Sequence, residues 1–215
     1  MSAAPVSSPT PAREEAAPAG MSKEDVERKT KGLLSEFYSA SDLEEAKTCV
    51  GELTEAGADL SELVEALFSV SLDLKTTSWP RLSDLLASLA KAELISSGDV
   101  LKGVRELLNV LDDVAVDAPK APAQLGALLG ALVAEGAAEL KPLCQHVLEA
   151  EGEDETIVAS GTAGKVVTAL LREWGSRADA EAVNAGWSAA ALELPAFFPE
   201  DERAKVVDVS SLLEG

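Results

Sequence analysis

Leucine and valine recur along this chain at intervals of three and four residues, and the helical segments they define come in pairs with a period of about 40 residues. An amphipathic helix cannot bury its apolar stripe alone. A hairpin of two helices covers part of it, and stacking hairpin on hairpin covers the rest. The period therefore confines the chain to an all-α fold of stacked antiparallel helical hairpins, curved into a solenoid. Pairs begin near positions 22, 59, 99 and 139. Val206, Val207 and Val209 come closest to a strand pattern, in a tail too short for a sheet.

Starts and stops agree with this reading. Ser22, with Asp25 three residues on, can cap a first helix whose apolar face carries Val26, Leu33, Leu34 and Phe37. Asp42 and Glu45 repeat the device before Leu43, Ala46, Cys49, Val50 and Leu53, and Gly57 marks the stop. Tyr38 is expected to cover the turn between these two helices. A third helix runs from Leu60 to Leu72, and a fourth follows Pro80 through Leu82 to Leu89. The fifth runs from about Val100 to Leu111 and the sixth from about Pro122 to Gly136. Two more complete the array, one carrying Leu140 to Leu148 and one spanning about Thr156 to Trp174. The spacing is that of HEAT-type repeats.

Composition divides the chain further. Residues 1–21 are rich in Pro, Ala and Ser and are expected to form a disordered leader or linker. Residues 22–175 form the helical domain, and 176–215 a C-terminal extension with short helices. Acidic side chains outnumber basic ones 38 to 18, for a net charge of −20. Phosphate backbones and anionic lipids are therefore poor partners, and a basic protein surface is a good one. Cys49 and Cys144 stand far apart without metal or redox spacing, which suits a reducing, cytoplasmic setting, and both fall at core-facing phases. A Gly-rich phosphate loop, a nucleophile elbow and a metal-ligand cluster are all missing from the sequence, and His146 is the lone histidine. The chain is expected to be no enzyme and to need no cofactor.

One polar segment is more informative. Asp112-Asp113-Val114-Ala115-Val116-Asp117-Ala118-Pro119 puts carboxylates at 113 and 117 in the connection between the fifth and sixth helices. Such a loop on a rigid scaffold is a place for binding. Asp117, two residues before Pro119, is equally placed to cap the next helix.

A resemblance bears on that choice. The run from Glu27 through Phe37, then Asp42-Leu43-Glu44-Glu45-Ala46 and Cys49-Val50-Gly51-Glu52-Leu53, is similar to the opening of MA3 domains of the translation initiation factor 4G family. Asp113 to Pro119 resembles that family's acidic loop, with Val116 in place of its Leu and Ala118 in place of its Val or Thr. Trp187, followed by Leu194, Pro195, Phe197, Phe198, Pro199 and Glu200, is similar to the segment after the domain. The resemblance implies a monomeric, HEAT-like protein-interaction domain that binds the DEAD-box RNA helicase of translation initiation, factor 4A. It implies Asp113 and Asp117 as the contacts, and no direct nucleic acid or membrane partner. Kinase and cap-protein binding do not carry over. Programmed cell death protein 4 carries two such domains and one is found here. A generic acidic HEAT-like adaptor with an unrelated partner, or a programmed-cell-death-4-like inhibitor, are the alternatives.

Overall fold

A computed structural model describes residues 20–75 and 77–214. The leader expected over residues 1–21 lies outside the described residues except for Gly20 and Met21. Among the described residues the chain forms α-helices and short 3-10 turns without a strand, apart from one isolated bridge between Glu151 and Thr156. The helices are α1 (Lys23–Ala40), α2 (Leu43–Glu55), α3 (Leu60–Asp73), α4 (Trp79–Lys91), α5 (Ser97–Asn109) and α6 (Leu111–Asp117). They continue with α7 (Ala121–Ala134), α8 (Leu140–Glu149), α9 (Thr162–Arg177), α10 (Ala180–Ala190) and α11 (Lys205–Glu214). Packing sorts them into two layers. α1, α3, α5 and α8 lie side by side in one, and α2, α4, α7 and α9 in the other. This is the stacked-hairpin, HEAT-like solenoid expected from the period.

Local chemistry explains the boundaries. The Ser22 side chain accepts a hydrogen bond from the Asp25 N–H, and Asp42 accepts from the N–H groups of Glu44 and Glu45, so both predicted caps form. Asp59 caps α3 in the same way and also accepts from Lys102 of α5 at 2.8 Å. Lys102 and Ser61 together hold its carboxyl well below the usual carboxylate range. α1 stops at Ser41, whose φ is +61°. Its terminal carbonyls are met from 43 and 44 residues away in sequence, because Arg81 of α4 donates to Tyr38 O at 2.8 Å and to Phe37 O at 2.6 Å. The guanidinium also donates to Ser41 Oγ and lies over the Phe37 and Tyr38 rings, 5.2 and 5.7 Å from their centroids. Arg81 therefore covers the α1–α2 turn, where Tyr38 was expected. The Tyr38 hydroxyl is instead buried against α3, 3.1 Å from Ser71 Oγ.

The tightest step in the stack is between α7 and α9. Gly126 and Gly130 lie one turn apart on α7, and a Cβ on them would sit 2.2 Å from Val166 O and 2.3 Å from Leu170 O of α9. The two backbones touch there, and the flanking Leu125, Leu129, Val166 and Leu170 are wholly buried. α9 begins at Thr162, later than the expected Thr156, because Gly161 takes φ +76° and breaks the run. Residues beyond α9 join the same core. Trp187, Leu194, Phe197 and Phe198 are buried, and one apolar cluster runs from Val26 to Val209. The valines with strand character lie in α11.

The cysteines differ in burial: Cys144 is fully buried and Cys49 half-buried. Burial pushes the Cys144 thiol up to about 12. Desolvation first, and then Glu45, Glu52 and Glu36, raise Cys49 as well. At pH 8 an aromatic disulfide reagent is expected to titrate one thiol slowly in the native protein and two in denaturant. Cys49→Ser should remove the native reaction, and a fast reaction of Cys144 in the folded chain would contradict this packing.

Candidate protein-docking site

The segment expected as a loop between the fifth and sixth helices is a helix. α5 ends at Val110 (φ −111°, ψ 4°), and α6 starts at once with Leu111, whose side chain is buried. Leu111, Val114 and Ala118 recur at helical spacing and hold α6 against the core beside α7. Pro119 ends it by pushing Ala118 out of helical geometry (φ −124°, ψ 77°).

Pinning that face leaves the opposite one to solvent. Asp113 and Asp117 stand one turn apart on it, and both are exposed. Val116 lies beside them with 80% of its surface exposed, and Val110 at the start of the same face is 45% exposed. Asp117 does not cap the following helix. The cap position of α7 is Lys120, without a side-chain hydrogen bond, and Pro122 supplies the first turn. The carboxylates of Asp113 and Asp117 make no hydrogen bond or ion pair among the described residues. The carboxylate with a structural task is Asp112, which accepts from Ser160 Oγ at 3.1 Å. The sequence pattern put Asp113 and Asp117 in one segment but treated Val116 only as a substituted motif position, and the helix exposes it beside them. The sole signal was the phase of Leu111, Val114 and Ala118.

His146, half-buried on α8, lies by Arg105, Asn109 and Glu149 in a shallow cleft. Among the described residues no group of three or more His, Cys, Asp or Glu side chains is arranged to hold a metal ion. No described helix is long and apolar enough to cross a membrane.

The comparison with known proteins follows the same stretch. A family model described as the MA3 domain matches residues 26–139, from within α1 to the start of α8. The chain belongs to the MA3 domain family. Mouse (Mus musculus) eukaryotic translation initiation factor 4 gamma 3 is 29% identical over 182 residues, which is 85% of this chain and 11% of that protein. Eukaryotic translation initiation factor 4G of wheat (Triticum aestivum) is 30% identical over 155 residues, 71% of this chain and 10% of that protein. The MA3 domain-containing translation regulatory factor 3 of Arabidopsis thaliana is 32% identical over 115 residues, 53% of this chain and 16% of that protein. The chain thus spans about a tenth of the length of the factor 4 gamma 3 relatives it matches. The MA3 match contains α6 whole, together with the helices that position it.

Proposed function

We propose that this MA3 chain is a cytoplasmic, non-enzymatic docking module of a translation initiation scaffold, and that it holds the DEAD-box helicase factor 4A through α6. One observation carries the reading. Asp113 and Asp117 sit one turn apart on a pinned helix, free of partners within the described chain, with an exposed valine beside them. Carboxylates so placed can accept charge-assisted hydrogen bonds from Arg or Lys on a basic face of the helicase. Exposed charge pairs contribute about 1 kcal/mol or less each, so Val116 and Val110 must supply apolar contact as well. The relatives named as translation initiation factors support the choice of partner, as does the resemblance of Asp113 to Pro119 to the family's acidic loop.

The test is isothermal titration of factor 4A's N-terminal RecA-like domain into the wild type and into the Asp113→Lys, Asp117→Lys double variant. Affinity is expected to fall by more than about tenfold, since reversal both removes attraction and adds repulsion. Thermal unfolding should be almost unchanged because neither carboxylate caps a helix. No heat from the wild type would sink the helicase reading. Equal affinity of the two proteins would remove α6 from the interface.

A further inference from the structure

The loop between α8 and α9 folds back beside α6. Asp112 makes the join, through its bond from Ser160 and through the Gly152 backbone, where a Cβ would come within 3.0 Å of Asp112 Oδ2. The loop has internal order of its own. Gly152 N–H donates to Glu155 O at 2.8 Å, Ala163 N–H donates to Ile157 O at 2.7 Å, and Ile157 is wholly buried. A cleft results, with Asp113 and Val116 on the α6 wall and Glu153, Asp154 and Glu155 on the loop wall. Lys165 is the one basic side chain lining it, so the lining is strongly negative.

Two features of this cleft point to the same occupant. Its carboxylates at 113, 153, 154 and 155 are exposed and form no ion pair among the described residues, and Lys165 is the one lining cation set against their mutual repulsion. On the α6 wall stands Val116, the most exposed large apolar side chain among the described residues. A cleft with acidic walls and an exposed valine on one of them matches one kind of side chain, a long cation whose aliphatic stem covers the valine while its head reaches the carboxylates.

Resting on the docking role of α6, we propose that the docking surface has two walls, and that the helicase inserts an arginine- or lysine-bearing projection between α6 and the α8–α9 loop. Asp112 and Ser160 act as positioning residues that hold the second wall in register with the first. The loop carboxylates add attraction at encounter as well as contact in the complex.

The test uses the whole chain and the same helicase domain. Glu153→Gln, Asp154→Asn and Glu155→Gln together are expected to weaken binding about tenfold and to make its salt dependence shallower. Ser160→Ala keeps every charge and should weaken binding about threefold by releasing the loop. Hydrogen exchange on the wild-type complex needs no variant to fold, and should show protection at residues 152–160 as well as 111–118. If the wild type binds, the α6 variant fails, and the loop variant binds like wild type, the α6 reading stands and the second wall falls. Protection confined to 111–118 would overturn it in the same way. A wild type that does not bind the helicase removes both.

Discussion

Replacing Gly126 and Gly130 together with alanine is expected to destabilise the protein by about 5 kcal/mol, although alanine favours a helix over glycine by about 1 kcal/mol at each position. The sign follows from what the new methyl groups meet. Val166 O and Leu170 O are backbone atoms of α9, locked in that helix's own hydrogen bonds, and stand 2.2 and 2.3 Å from where the Cβ atoms would go. Neither can yield as the end of a flexible side chain yields. α7 and α9 must move apart, and their buried leucines and valines lose contact along the whole interface. Each single change should cost about 3 kcal/mol, less than additively in the pair because one separation serves both. Gly32→Ala is the control. It lies in α1 with open space at its Cβ position, so it should gain about 1 kcal/mol from propensity alone. Urea unfolding followed by circular dichroism separates the outcomes. A double variant as stable as wild type would mean that α7 and α9 are farther apart than described.

Arg81→Met should cost about 3 kcal/mol, an unusual loss for a surface-reaching cation. The side chain supplies donors to two terminal carbonyls of α1 and to Ser41, and stacks on two aromatic rings. Methionine preserves much of the stem's packing and removes every donor, so Phe37 O and Tyr38 O lose that bonding where the helix ends. Arg81→Lys is expected to recover less than half of the loss, because an ammonium cannot reproduce the planar fork that reaches both carbonyls at once. Hydrogen exchange offers a local check, with faster exchange expected around residues 38–42 before the rest of the chain opens. Full recovery by lysine would reduce the contribution to charge alone.

The helical order of this chain was legible because its signals are local. Ser22, Asp42 and Gly57 announce ends through their own side chains or backbone freedom, and the leucine phases show which faces turn inward. What escaped depends on residues distant in sequence. Arg81 lies 43 positions from the carbonyl of Tyr38 that it meets, and no pattern around either residue marks the pair. α6 escaped for a different reason. Two turns dense in aspartate and followed by proline read as a connection, and only the core position taken by Leu111 makes them helical. The acidic pair itself was visible at once, as Asp113 and Asp117. Val116 beside it was not, since exposure is a property of the packed helix and not of a valine. The acidic residues from Glu151 to Glu155 carried no such reading, since nothing in sequence places them beside residues some 40 positions earlier.

A stacked-hairpin protein behaves mechanically as a spring, and a spring yields at its most compliant coil. Main-chain contact at Gly126 and Gly130 makes the α7–α9 step the stiffest, since at those two points no side chain stands between the helices to shear. α7 also backs α6, and α9 receives the end of the loop that faces it. A partner pulling on this end would meet a platform that transmits force with little give, and strain would pass toward the more loosely packed hairpins of the stack.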